Sequence, residues 1–400
     1  MGKAIVRRPT VSVLLPTYNR DRFIVESLES IFAQTLAPTQ VIVINDGSTD
    51  GTRSALEPFR QRVEYLECKN SGKPTALNLG MHRVTGEYVW IMDDDDVALA
   101  DALERHVALL ESRPELGWTY SSYIESTSND ENGRVAPQAE KMLPDFPETE
   151  FLIRLMEECF LIHPTILVRA SCYRQVGQFQ TELVRCQDYE MAVRLARAFT
   201  CARVAGPTIY HRVHEGSRGS AKDTFEAGQI QEKWLEYMQI FFRRLRQEMP
   251  LSEYLPTFQT GDGQTCDTRH AYLRRMTIMA RKRLYDEMIE DLSLAQQDTV
   301  TRCALSNAER YLLYELFHYK NDPLLFRKSL VRRIRSVCRG PVGAAFRCEF
   351  VRCLYWRAIA EARRGDYADV FSALSAALHL SGIGVLRSLL SGKKPGLLAT

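Results

Sequence analysis

Apolar residues in the first hundred positions come in short β-branched runs separated by stretches of helical period. Val11-Ser-Val-Leu-Leu15 is stopped by Pro16 and followed by Phe23, Ile24, Leu28, Ile31 and Phe32 at helical spacing, which reads as strand, turn, helix. Val41-Ile-Val-Ile44 is a second buried strand, closed by Asn45-Asp-Gly-Ser-Thr-Asp-Gly51, whose Gly and Asx residues turn the chain and whose Ser, Thr and Asp can cap a helix. Val63-Glu-Tyr-Leu66 gives a third, weaker strand, and a helix through Ala76, Leu77 and Leu79 follows Asn70-Ser-Gly-Lys-Pro74. Tyr88-Val-Trp-Ile-Met92 is too short for a helix and reads as a buried strand; it ends in four consecutive carboxylates, Asp93 to Asp96. Strands alternating with helices at this interval predict a parallel sheet with right-handed crossovers.

Beyond Pro114 the pattern changes. Trp118 to Ile124 reads as a strand, Asn129 to Pro147 as a polar loop, Phe151 to Cys159 as a helix, and Thr165 to Val168 as a strand. A strongly amphipathic helix spans Asp188 to Phe199, and a strand near Pro207 to Tyr210 leads into a Gly/Ser-rich tail that ends a first domain, 1–224. The remainder, 225–400, is helical in period throughout, with breaks at Pro250, Pro256, Gly261-Asp-Gly263, Pro323 and Gly340-Pro341. Tyr355 to Leu380 has the small residues and the Gly365 turn of one tetratricopeptide-type hairpin.

Length and composition narrow the class. A chain of 400 residues suggests two or three domains, and 45% hydrophobic with 26% charged residues is ordinary for a globular protein. A net charge of +2 argues against a dedicated nucleic-acid binder. Basic stretches such as Phe241-Phe-Arg-Arg-Leu-Arg246 and Arg332-Arg-Ile-Arg335 are either wet helix faces or contacts to anionic lipid or a partner protein. The ten cysteines include no Cys-x-x-Cys pair, which points away from zinc and toward reduced thiols. With no apolar leader at the N-terminus and no long apolar run, the expectation is a cytoplasmic protein, peripheral at most at the inner face of a membrane.

The candidate chemistry gathers at the acids. Carboxylates at the carboxyl end of a buried strand lie on the edge where open α/β sheets bind ligands, and hard oxygen donors suit Mg²⁺ or Mn²⁺. A solvated acidic turn capping a helix that starts near Ala98 is the plainer alternative. The first strand-to-helix turn is Pro16-Thr-Tyr-Asn-Arg20, not Gly-x-Gly-x-x-Gly, and no Walker lysine loop is present, so nicotinamide chemistry and P-loop hydrolysis drop out.

Pro16-Thr-Tyr-Asn-Arg20, Asn45-Asp-Gly-Ser-Thr-Asp50, Gly72-Lys-Pro-Thr-Ala-Leu-Asn-Leu-Gly80, Gly86-Glu-Tyr and Met92-Asp-Asp-Asp-Asp96, in this order, resemble the family-2 nucleotide-sugar glycosyltransferases of GT-A fold. The resemblance covers about Thr10 to Ser220. It implies a mostly parallel mixed sheet, followed here by an all-α C-terminal region, and an inverting transfer from a nucleoside diphosphate sugar, with UDP-sugar the expected donor, to a glycan, lipid-linked or protein acceptor in glycan or polysaccharide synthesis. Thr17, Tyr18 and Asp46 would clasp the nucleoside, and Lys73 would meet the diphosphate or else point into water. The acids carry Asp-x-Asp in two registers; Asp95 is the favoured metal ligand, with Asp93 or Asp94 toward the ribose or toward water around the metal's direct ligands. Cys186-Gln-Asp188 resembles the family's Glu-Asp site, so Asp188 is the candidate general base, or alternatively a helix cap; Gln187 departs from the pattern. In His211-x-x-His214, a spacing that suits a metal but is usually structural near a strand end, His214 is a candidate for the metal shell or for a diphosphate contact, and His163 is a candidate for the acceptor side.

Two other readings stay open: a non-catalytic nucleotide-sugar-binding or scaffold protein, which would need neither Asp95 nor Asp188, and a sugar nucleotidyltransferase, which would open on a Gly-rich phosphate loop.

Overall fold

A computed structural model describes residues 8–128, 134–213, 230–256, 268–297, 304–318 and 327–381. Contacts divide the chain into two units, Met1–Tyr237 and Met238–Thr400.

In the first unit, nine strands among the described residues form one mixed sheet. Strands β1 (Val11–Thr17), β2 (Gln40–Asn45), β3 (Glu64–Glu67) and β4 (Tyr88–Ile91) are joined in parallel, with β1 between β2 and β4. The short β5 (Val97–Ala98) lies at the far edge against β9 (Cys201–Arg212); β6 (Trp118–Ser128) joins β9 in parallel and the hairpin strand β7 (Val135–Lys141) antiparallel. Between the two halves sits β8 (Ile166–Arg169), antiparallel to both β4 and β6. Each parallel crossover in the first half carries a helix: α1 (Ile24–Phe32), the short α2 (Thr52–Leu56) and α3 (Lys73–Met81). Then come α4 (Ala102–Ser112), α5 (Glu148–Glu157), α6 (Ala170–Val176) and α7 (Gln187–Ala198). Val13, Leu15, Ile24, Leu28, Val43, Trp90 and Met92 are all at most 1% exposed and form the core under the site, so the acid-bearing turn rests on fixed packing.

Three expectations are corrected. The first strand does not stop at Pro16 but pairs with β2 through Thr17. The Leu14 carbonyl accepts the Met92 amide on the β4 side, so two residues on the nitrogen of Pro16 faces the same side, where β4 pairing has already ended at Leu14 and no ladder bond is lost. No helix starts near Ala98; that residue pairs with Ile209, its amide donates to Ser30 Oγ, and the helix waits until Ala102. The stretch from Asn129 to Pro147 is not all loop, because it holds β7. The polar sequence of β7 and its Pro137 conceal it, and both are tolerated on an exposed edge strand that pairs next to a β-bulge at Glu125/Ser126.

Gly86 has a steric reason: a Cβ there would lie 2.6 Å from the Ser12 amide nitrogen of β1.

The second unit is helical in its described residues. The contact division falls within α8 (Ile230–Glu248), followed by α9 (Thr268–Arg281), α10 (Tyr285–Gln297), α11 (Asn307–His318), α12 (Lys328–Val337), α13 (Gly340–Arg364) and α14 (Tyr367–Ser381). The α13–α14 hairpin turns on Gly365 at φ 81°, with Asp366 N–H donating to the Glu361 carbonyl, a Schellman closure. Ala358, Ala373 and Ala377 are buried in it.

Candidate functional site

The carboxyl ends of β1, β2 and β4 converge on one cleft of about 130 Å³ whose lining includes Thr17, Tyr18, Asp46, Lys73, Asp93 and Asp94. Six residues expected from sequence to bind nucleotide are therefore together.

Asp46 follows β2, and its carboxylate organises the next loop: Oδ1 accepts Ser71 N–H (2.9 Å) and the Cys68 thiol (3.3 Å), and Oδ2 accepts Gly72 N–H (2.8 Å). That loop delivers Lys73 at the start of α3. Gly47 makes the tight approach feasible, since it sits at φ 75° and a Cβ there would be 2.9 Å from the Asn70 nitrogen. The Cys68 thiol is pushed up to about 12 by burial first and by its bond to Asp46 second, so it stays a donor.

Asp93, Asp94 and Asp96 have separate partners, and Asp95 shares Arg20 with Asp94. Asp93 is bonded to Lys73 Nζ. Asp94 accepts Tyr18 N–H (3.3 Å) and lies 3.5 Å from Arg20 Nε, which is also 3.7 Å from Asp95. Asp96, fully buried, accepts Arg212 N–H at 2.9 Å and has both oxygens 3.1 Å from His211 Nδ1. Burial pushes Asp94 up to about 7, against the pull of Arg20 and with help from Asp95. His211 rises to about 9: burial opposes the charge, but Asp96 outweighs it. The repulsion expected of four adjacent carboxylates is thus met by Lys73, Arg20 and His211. Arg212 locks the turn in place, its guanidinium donating to the Asp95 carbonyl (2.8 Å) and pairing with Glu26 of α1 (2.5 Å).

Carboxylate oxygens of Asp93, Asp95 and Asp96 lie within 4.8 Å of one another, a hard-donor set of the kind Mg²⁺ or Mn²⁺ takes. Asp96 is the least available of the three, because its oxygens already serve Arg212 and His211.

Asp188 is the second residue of α7, not its cap. Cys186, in the left-handed region at φ 61°, occupies the cap position, and Asp188 Oδ1 accepts the N–H of Tyr189 at 2.8 Å. Burial raises the Asp188 carboxyl, partly offset by the charge of Lys73. Lys73 is itself raised; burial opposes this, and Asp93 and Asp188 together prevail. Asp188 also lines a second cleft of about 490 Å³, with Tyr123, Phe160 and Trp234 among its walls. His163 is 3% exposed, packs edge-on against Phe179 at 5.7 Å, and is held neutral by burial and by Lys73. Its Nδ1 and the Oε1 of Gln187 have no hydrogen-bond partner among the described residues. His214 lies outside the described residues.

The sequence assigns no role to Arg20, Arg212 or Glu26, and marks His211 only as half of a histidine pair. Arg20 stood inside a quoted motif, and four consecutive acids demand nearby cations; Glu26 and Arg212, 186 positions apart, carried no local signal.

The model of the family "Glycosyl transferase family 2" matches residues 12–177. An uncharacterized glycosyltransferase of Haemophilus influenzae is 30% identical over 222 residues, covering 53% of this chain and 68% of that protein. Another, of Rickettsia bellii, is 35% identical over 125 residues, 31% of this chain but only 18% of that longer protein. Among solved structures, the S. aureus TarS 1-349 complex with UDP-GlcNAc is similar at 16% identity and TM-score 0.48, covering 93% of this chain and 92% of that one. From the matched motifs, the sheet that carries them and the Haemophilus relative, the chain belongs to glycosyl transferase family 2 and is a glycosyltransferase with a GT-A type nucleotide-binding domain.

Proposed function

We propose that this glycosyltransferase moves a sugar from a nucleoside diphosphate sugar, a UDP-sugar by preference, to a hydroxyl acceptor with inversion and with a divalent metal, in glycan or polysaccharide synthesis. The observation that carries the reading is the joining of Lys73, Arg20, Asp93 and Asp94 to Asp46 in one cleft, with Asp188 near enough to Lys73 for the two charges to act on each other.

Tyr18 offers an aromatic face and Asp46 retains acceptor capacity for an imide N–H of the base, with Thr17 beside them. Lys73 and Arg20 supply positive charge for the diphosphate. Mg²⁺ or Mn²⁺ would be held by Asp95 and Asp93, with Asp96 behind them, and when bound it would neutralise charge on the departing phosphate. His214 stays a proposed further ligand. Asp188 takes the proton of the acceptor hydroxyl as its oxygen attacks the anomeric carbon; the C–O bond to phosphate breaks, and the electron pair leaves with the nucleoside diphosphate. Burial helps the base, since a carboxylate held partly desolvated is a better proton acceptor than one in water.

A donor panel scored by nucleoside diphosphate release, with and without candidate acceptors and with and without chelator, tests this. No release from any donor would favour a binding or scaffold role instead. Full activity in chelator would remove the metal.

A further inference from the structure

The cleft of about 490 Å³ beside Asp188 is of ordinary ligand size, and its lining identifies a class of occupant. Trp234 is central. Its carbonyl accepts the Cys186 thiol at 3.5 Å, and its indole stacks on Tyr189, centroids 6.3 Å apart and planes 7° from parallel. Tyr189 is fixed in turn, its hydroxyl donating to the carbonyls of Leu155 (2.6 Å) and Met156 (3.1 Å). Residues on both sequence flanks of Asp188 therefore hold this tryptophan, which lies outside the segment matched by the family model.

The remaining lining combines flat apolar surface with negative charge. Tyr123, Phe160 and the 58% exposed Met142 supply the first. Glu140, Glu158 and Asp188 supply the second, against Lys141, which is paired with Glu125 at 3.2 Å. Leu143, Pro144, Leu161 and Ile162 add further apolar surface, and the carboxylates repel phosphate. Such a wall suits a ring with apolar C–H faces and a rim of hydroxyls: the faces lie on aromatic surface, and the hydroxyls donate to carboxylates.

We infer that this cleft binds a neutral pyranose of the acceptor and that Trp234 is the residue that positions it against Asp188. The inference rests on the reading of Asp188 as general base, yet it can be tested by binding alone.

Saturation-transfer NMR on the full chain with UDP present would use methyl pyranosides of neutral hexoses as probes and glycerol 3-phosphate as the anionic comparator. Transfer to ring C–H protons of at least one pyranoside is expected, with none to glycerol 3-phosphate. Trp234→Ala should cut that signal about fivefold or more while UDP affinity stays within about twofold, and Trp234→Phe should keep most of it. Tyr123→Leu gives the same reading through a residue from a different element. Absence of any pyranoside signal in the unaltered protein, an undiminished signal in both Trp234→Ala and Tyr123→Leu, or stronger binding of glycerol 3-phosphate would overturn the inference. If pyranosides bind as expected while Asp188→Asn keeps its turnover, the base assignment fails and the cleft stands.

Discussion

At the scale of single residues, the two assignments that matter most make separable predictions. Asp188→Asn preserves the oxygen that accepts Tyr189 N–H, so α7 should start normally, but an amide cannot take a proton from the acceptor. Transfer should fall by ~10²–10⁴-fold with donor affinity little changed. Near-normal transfer at saturating donor, or a product whose anomeric configuration matches that of the donor by NMR, would show that Asp188 is not an inverting base. Asp46→Ala should behave differently. Its carboxylate holds the loop from Cys68 to Gly72 and, in the proposed reading, also meets the nucleoside, so the variant should lose that base contact together with the bonds that present Lys73. UDP affinity measured by calorimetry should drop ~10-fold or more, since each lost charge-assisted bond is worth ~1.5–3 kcal/mol. Unchanged affinity would mean the base sits elsewhere. His163 shows what the sequence could not give: its burial beside Phe179 and its neutral state depend on partners far along the chain.

At the scale of elements, what was legible followed from how local the cause was. β1, β2, β4 and α7 announce themselves because buried strands and amphipathic helices write their environment into consecutive residues. β7 does not, because an exposed edge strand needs no apolar face, and the path of Asp96 to Ala98 depends on Ser30 and Ile209, which only the fold brings near. The candidate site was readable as a set of acids and turns, whereas the cations that balance them come from a strand 115 positions later as well as from the motifs. His106 shows how one side chain joins such elements. Fully buried on α4, it reaches Thr119 of β6 (Nδ1, 2.9 Å) and Thr208 of β9 (Nε2, 3.5 Å), and burial holds its pKa down at about 3. The unfolded chain binds a proton there near pH 6.5 and the folded chain does not until about 3, so the unfolded state carries more protons in that window. Folding stability should therefore fall as pH drops from 6.5 toward 3, by several kcal/mol from this residue alone. Denaturant unfolding from pH 7 to pH 4 checks it: His106→Gln should start less stable and lose less on acidification. An equal acid slope in the two proteins would mean that other groups govern acid unfolding.

At the scale of the whole molecule, each unit carries its own core, and the helical one mixes apolar packing with buried ion pairs. Asp291, fully buried, is held by Arg275 at 2.6 Å and Arg246 at 2.8 Å, and Arg269 pairs with the buried Glu309. Such pairs confer little net stability but cost ~3–5 kcal/mol when one partner is removed. Among the described residues no helix is long and apolar enough to cross a membrane. Helix α14 nonetheless exposes Tyr367 (74%), Phe371 (76%), Leu374 (37%) and Leu378 (44%), at spacings of four, three and four that place them on one face. Arg363 and Arg364 close α13 just before it, so lipid contact through this face would be driven by apolar area with help from charge. The peripheral membrane contact expected from the sequence would be made through this face. Co-sedimentation with anionic vesicles should then be lost in a Tyr367→Ser, Phe371→Ser double variant and weakened only partly by raising salt, because burial of two aromatic rings is not screened. A wild-type protein that stays in the supernatant, or a double variant that pellets equally, would leave the stripe to a protein partner instead.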